Sequence, residues 1–238
     1  TGPMRGGLAV GTILLPSLAK HHANSNVEEY SKLLDWGLRI TVMLTLPAAL
    51  ALALISVPLI TSLFHYGQFS VNDVYMTRMA LIAYSVGLTG MLLVKILAPG
   101  FYARQNVRTP VKIALVTLAA TQLMNLLFLF GFNMNHAGLA LAIGLGACVN
   151  AGFLYWKLRS QNIYHPQPGW GIFTLKLLVA LAAMGAALWF AMGADALWLN
   201  AKAHEKLLRL TFLVALGSIT YLAALWLMGF RMKDFAKR

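Results

Sequence analysis

Residues 40–64 read ITVMLTLPAALALALISVPLITSLF, a run without one charged side chain. As a helix, such a run crosses a hydrocarbon core of about 30 Å, which takes roughly 20 apolar residues, and it satisfies its own backbone hydrogen bonds. Five more runs of this kind follow, at 79–98, 113–132, 137–156, 172–192 and 210–230, and a shorter one at 8–18 precedes it. Strand-period alternation is absent from all of them. The fold class is therefore all-α: a polytopic membrane helix bundle with six full transmembrane helices and one truncated one.

Composition agrees. Of 238 residues 59% are hydrophobic and 11% charged, whereas soluble domains carry roughly 25% charged residues. An ordinary soluble enzyme is excluded. The formal charge of +12, from 19 Lys+Arg against 7 Asp+Glu, reads as membrane topology. Lys20, Lys32, Arg39, Arg104, Arg108, Lys112, Lys157, Arg159, Arg231, Lys233, Lys237 and Arg238 fall on one side of the alternating connections, and only Arg78, Lys202 and Lys206 on the other. Basic connections stay inside, so the first set and the C-terminus are expected in the cytoplasm. The same bookkeeping removes nucleic acid as a partner, because the basic residues sit in short connections. Trp156 and Trp170 are then expected at the inner interface, and Trp189 and Trp198 at the outer one.

The chain opens Thr1-Gly2-Pro3-Met4 with no signal-peptide pattern, and is read as a piece of something longer. Asn26 and Glu29 fit a capping box, and Val27, Tyr30, Leu33, Leu34 and Leu38 share one helical face. A helix on the inner surface is expected near 26–38, as a linker or a lipid contact. Ser70 with Asp73 forms a second capping box. Pro47 and Pro58 each remove a backbone donor from the 40–64 run and favour a bend.

Polar residues at membrane depth carry the chemistry, because hydrocarbon tolerates them only beside a cavity or a partner. Lys95 stands a turn before Pro99-Gly100-Phe101-Tyr102 and reads either as a cavity cation for an anionic substrate or as a lysine that snorkels. Thr117, Thr121 and Asn125, with Gln122 beside them, form a polar stripe for interhelical hydrogen bonding or cavity lining. Ala140, Gly144, Cys148 and Gly152 form a small-residue packing stripe, and Asn150, off that stripe, can point at a cavity. Lys176 and Arg209 read as snorkelling. Cys148 is the one cysteine, so there is no disulfide framework. All seven acidic residues, Asp35 among them, and all six histidines read as belonging to connections or tails. No metal ligand set, cofactor motif or catalytic constellation is expected, and the GxxxxGK[ST] loop of ATP-driven machines is absent.

Several stretches taken together carry a resemblance. They are Val10-Gly11-Thr12-Ile13-Leu14-Leu15-Pro16-Ser17-Leu18, Leu81-Ile82-Ala83-Tyr84-Ser85-Val86-Gly87-Leu88, and Val94-Lys95-Ile96-Leu97-Ala98-Pro99-Gly100-Phe101-Tyr102-Ala103-Arg104-Gln105. Thr109-Pro110-Val111-Lys112, Gln122-Leu123-Met124-Asn125, His136-Ala137-Gly138-Leu139, Leu154-Tyr155-Trp156, Pro166-Gln167-Pro168-Gly169-Trp170 and Gly229-Phe230 extend it. The chain resembles the MurJ (MviN) family of lipid II flippases, within the multidrug/oligosaccharidyl-lipid/polysaccharide exporter superfamily. It departs from the family at Thr1 to Gly6, where members usually carry Phe-Pro-x-Gly-x-x-Gly.

The resemblance implies a transporter of fourteen transmembrane helices in the bacterial inner membrane, of which this chain supplies the C-terminal half. Residues 1–158 would form the C-terminal transport lobe, and 159–238 the last two helices, which shape a lipid-tail groove. The implied substrate is undecaprenyl-pyrophosphate-linked glycopeptide, lipid II, moved from inner to outer leaflet for peptidoglycan synthesis by alternating access. Lys95, Gln122, Asn125 and Asn150 are the expected substrate-cavity residues. The implied partners are lipid II, membrane lipids and the N-terminal lobe of the same protein. Other readings are an exporter of a different polyprenyl-linked glycan, a drug antiporter of the superfamily, or a non-transporting scaffold.

Overall fold

The computed structural model describes residues 27–131 and 135–230. The apolar run at 8–18, the cap Asn26 and the C-terminal basic residues lie outside them. The described helices are α1 (Val27–Leu54), α2 (Ser56–Leu63), α3 (Val71–Tyr102), α4 (Arg108–Leu126), α5 (Asn135–Ser160), α6 (Trp170–Met192), α7 (Asp195–Leu199) and α8 (Ala203–Leu227). Among the described residues, six stretches are long and apolar enough to cross a membrane: Glu28–Leu54, Val71–Tyr102, Arg108–Gly131, Ala137–Ser160, Trp170–Met192 and Ala203–Leu227.

The stretch expected as a separate surface helix is instead the first turns of α1, continuous to Leu54. Tyr30, Leu33, Leu34 and Leu38 are buried in a core with Ile96, Leu97 and Phe101 of α3 and Leu154 and Leu158 of α5. The Tyr30 hydroxyl donates to the Gly100 carbonyl. A face this apolar is covered by protein, so no surface contact with lipid is left for it.

The 40–64 run divides at Ile55. Pro58 explains where: it has no N–H for the Leu54 carbonyl, and its ring crowds the residue four places back. Hydrogen bonds resume from Leu59 N to Ile55 O at 2.8 Å, so the chain bends without unravelling. Pro47 is held inside α1. At the start of α3 the capping box forms as expected, with Ser70 and Asp73 each bonding the other's backbone.

Helices α3 and α5 run parallel and touch backbone to backbone. A Cβ built on Gly87 would lie 2.1 Å from Gly144 Cα, and one on Gly90 would lie 2.8 Å from Cys148 Cα. The Cys148 thiol donates to the Val86 carbonyl at 3.6 Å. Two members of the small-residue stripe therefore pack as expected, whereas a Cβ on Gly152 would meet open space. Helix α4 lies antiparallel along α5, burying only Pro110 and Thr117. Thr121 meets Gly146 there, 2.1 Å from a built Cβ.

A second core joins Ile55, Val57 and Ile60 to Phe173, Leu177 and Leu188 of α6, Leu213 and Leu225 of α8, and Trp198 of α7. Val42, Leu46 and Leu50 of α1 pack against this core too, so α1 touches both groups of helices. Trp156 and Trp189 are exposed, at 63% and 64%, as an aromatic belt requires. Trp198 is 2% exposed and donates to the Met192 carbonyl. Trp170 is half-buried and donates to Asp35. Both indoles are held by hydrogen bonds within the protein.

Candidate functional site

Lys95 lies on the face of α3 shared by Tyr84, Leu88, Met91 and Tyr102, opposite the buried Ile96 and Leu97. Its side chain is exposed, and among the described residues its ammonium has no hydrogen-bond or ion-pair partner. Pro99 follows four places later within the same helix. A proline offers no N–H to the Lys95 carbonyl, so that carbonyl lacks the helical donor four places on.

Gln122, Asn125 and Asn150 are carried by α4 and α5. Gln122 is exposed, and its carbonyl oxygen accepts from Asn125 Nδ2 at 3.3 Å. Asn125 Oδ1 and Asn150 Oδ1 are both shielded and have no hydrogen-bond partner among the described residues. Gly146 sits against Thr121; Asn125 is one turn beyond Thr121 and Asn150 one turn beyond Gly146, so the two asparagines flank that contact on facing helices. Helix α4 then closes in a π-helical turn, Leu127–Gly131.

The threonines of the stripe behave otherwise than expected. Thr117 donates to the Ile113 carbonyl and Thr121 to the Thr117 carbonyl, each at 2.8 Å. Their hydroxyls are spent within α4, and their bulk packs against α5. Interhelical hydrogen bonding through them is absent among the described residues.

The four expected site residues do not converge on one point. The register set by Gly90 on Cys148 and by Thr121 on Gly146 places Asn150 roughly 5 Å along the helix axis from Lys95, Gln122 roughly 12 Å and Asn125 roughly 16 Å, at 1.5 Å per residue. They mark a track across three helices.

Apolar hollows lie beside it. A groove of about 910 Å³ opens between α1, α3 and α6, lined by Leu50, Leu54, Val86, Leu181, Gly185 and Trp189. A second of about 580 Å³ lies between α1, α3 and α5 and includes Leu93, Gly152 and Tyr155. A third of about 300 Å³ separates α1 from α6 and α8, beside Pro47, Met184 and Gly217.

Three charged groups had no role in the sequence reading and acquire partners here. Lys176, expected to snorkel, donates to the Met228 carbonyl at 2.7 Å just past the end of α8, and its ammonium lies 5.2 Å from the Phe230 ring centre. Lys206, 3% exposed, approaches His65 Nδ1 at 3.3 Å and the Tyr66 ring at 5.6 Å. Asp35 lies in α1, not in a connection, and is 3% exposed. Its Oδ1 accepts from Tyr164 Oη at 2.6 Å, Trp170 Nε1 at 2.7 Å and Gln167 N at 3.1 Å, and its Oδ2 from Arg39 Nε at 2.7 Å. Burial, and then the hydrogen bond to Asp35, push the Tyr164 phenol well above the usual tyrosine range.

Comparison with known proteins places this architecture. The family model described as lipid II flippase MurJ matches residues 7–230. The lipid II flippase MurJ of Burkholderia cenocepacia is 46% identical over 233 residues, which is 98% of this chain and 45% of that protein. The probable lipid II flippase MurJ of Haemophilus influenzae is 36% identical over 231 residues, 94% of this chain and 45% of that protein. A solved structure of lipid II flippase MurJ in an inward closed conformation superimposes with a TM-score of 0.69 at 19% identity, covering 96% of this chain and 43% of that one. The chain spans about half the length of the curated relatives it matches.

Proposed function

The chain belongs to the lipid II flippase MurJ family, and we propose that it acts as the second half of a transporter that turns lipid II from the inner to the outer leaflet. The observation that carries this reading is Lys95: an exposed ammonium with no partner among the described residues, a turn before Pro99, and the one charged side chain between residues 79 and 102 of α3. A cation in that setting is stabilised by an anion, and the pyrophosphate of a lipid-linked precursor supplies one. Gln122, Asn125 and Asn150 continue the track with amide groups suited to sugar and peptide. Asn125 Oδ1 and Asn150 Oδ1, shielded and without a hydrogen-bond partner among the described residues, would meet N–H or O–H donors of a substrate only when α4 and α5 part during the cycle.

The division at 158/159 fits the same reading. Residues 1–158 carry the track, and 159–238 supply α6 and α8. The groove between α1, α3 and α6 offers the polyprenyl tail an apolar wall without drawing it into the polar track. The first half of the same protein would close the open face of α3 and α4, and bilayer lipid would cover the remaining apolar surface. Transport then follows from rocking of two lobes about the track, with access alternating between leaflets. In this reading no bond is made or broken: the protein is a transporter and not an enzyme. The basic ends of α3, α4 and α5 and the C-terminus face the cytoplasm, as the distribution of Lys and Arg supports.

Complementation tests the proposal. A chain of the relatives' full length that contains this sequence should sustain growth of bacteria depleted of their own lipid II flippase. Failure to do so at normal membrane abundance would overturn it.

A further inference from the structure

The connection between α5 and α6, residues 161–169, is fastened to α1 by an arrangement that the transport reading does not use. Asp35 receives four donors from three places: Arg39 one turn along its own helix, Tyr164 and the Gln167 backbone in the connection, and Trp170 in the first turn of α6. Arg39 closes the circuit, donating from Nη2 to the Gln167 carbonyl at 3.2 Å and the Pro168 carbonyl at 3.0 Å. Its guanidinium lies 5.1 Å from the Trp170 ring centre and 5.6 Å from that of Phe173. Ser31, one turn before Asp35, bonds both backbone groups of His165, donating to its carbonyl at 2.9 Å and accepting from its N–H at 2.8 Å. Gly169, at a φ of 94° that side chains rarely adopt, turns the chain into α6.

A buried carboxylate that accepts four hydrogen bonds, three on Oδ1 and one on Oδ2, and is balanced by a guanidinium, is rigid; with one partner removed it is left undercompensated in low dielectric. Such a cluster selects one geometry of α6 against α1. The small connection could have been a loose tether of nine residues, yet its backbone is bonded at His165, Gln167 and Pro168. We propose that Asp35 is a positioning residue for transport: its carboxylate fixes the start of α6 to α1, so that α6 and α8 travel with α1 as one body while the lobes rock. This rests on the flippase reading and adds to it a requirement that the tail-bearing helices keep a constant place beside the track.

The test uses a full-length flippase containing this sequence, with Cys148→Ala and with any cysteine outside this sequence also replaced. Lipid II transport in proteoliposomes by the otherwise unaltered protein is the reference, and its absence would sink the flippase reading itself. Asp35→Ala is expected to lower transport at least tenfold. Adding Ser31→Cys and His165→Cys, and bridging them with a short, reductant-cleavable thiol reagent, should restore transport to within about threefold of the reference; cleavage should abolish it again. The same bridge in the Asp35-containing protein should leave transport intact, because the two elements it joins do not separate during the cycle. Trp170→Phe removes one donor and is the second variant should Asp35→Ala fail to accumulate, with a threefold or greater loss expected that the bridge repairs. Undiminished transport in Asp35→Ala, or in Trp170→Phe where it is the variant read, no repair by the bridge, or arrest of the Asp35-containing protein by the bridge would each overturn the proposal.

Discussion

Gly87 and Gly144 meet so closely that a methyl group on Gly87 would stand 2.1 Å from Gly144 Cα, while one on Gly144 would stand 3.1 Å from Gly87 Cα. Helices in a membrane associate through such close approaches, since lipid tails are as apolar as leucine. Gly87→Ala has only backbone to displace and is expected to destabilise the bundle by about 1–3 kcal/mol. Gly144→Ala should be milder, and Gly152→Ala, which meets nothing within 4 Å, near neutral. Thermal unfolding of the purified full-length variants checks that ranking. Equal melting temperatures for Gly87→Ala and Gly152→Ala would show that α3 and α5 are not in contact as described.

Lys176 closes the far end of the α6–α8 pair by donating to the Met228 carbonyl. A cation there also meets the negative end of the α8 dipole. Lys176→Met keeps most of the apolar stem and removes the donor, so a loss of about 1–2 kcal/mol is expected. A melting temperature unchanged by the substitution would return Lys176 to the role of a snorkelling side chain.

Much of this was legible in the sequence, and the rest was hidden for identifiable reasons. The spans could be read because each is a local property: roughly 20 apolar residues in a row need no tertiary information. The bend before Pro58 and the capping box at Ser70 are equally local. Asp35 could not be read. Its partners Tyr164, Gln167 and Trp170 are more than 125 positions away, and nothing near Asp35 distinguishes it from a residue at a solvated helix start. Trp198 and Trp170 share that difficulty, because an indole at a span end looks the same whether it meets lipid or protein. The threonine stripe was read correctly as a face, but periodicity does not say whether a hydroxyl bonds outward or to its own helix.

Asn150 separates a packing role from a substrate role. Its shielded oxygen has no partner among the described residues, so Asn150→Leu, of similar size, removes an unmet polar group and should leave stability unchanged or raise it by up to about 1 kcal/mol. Transport should fall nonetheless, because the amide belongs to the track. If stability drops and transport per folded molecule stays constant, Asn150 is part of the packing alone.

Tyr164 gives a pH signature. Its phenol is held above the usual range by burial and by Asp35, and the unfolded chain ionises near pH 10. The stabilising preference for the protonated form is therefore complete below about pH 10 and is lost as the pH rises beyond it, since the unfolded state then binds fewer protons than the folded one. Melting temperatures of the full-length protein should decline from about pH 10 upward, and Tyr164→Phe should show a shallower decline. Parallel curves for the two proteins would detach Tyr164 from the alkaline response.

Lys95 remains the centre of the proposed chemistry. Charge-assisted hydrogen bonds to phosphate contribute about 1.5–3 kcal/mol, which corresponds to roughly ten- to hundredfold in binding. The decisive measurement is the rate of lipid II transfer between leaflets in proteoliposomes containing the full-length protein, compared between lysine and Lys95→Ala at equal incorporation. A tenfold or greater loss, largely recovered by Lys95→Arg, is the expected result. Equal rates for lysine and alanine would contradict a cation-to-pyrophosphate contact at this position and remove the track from the mechanism.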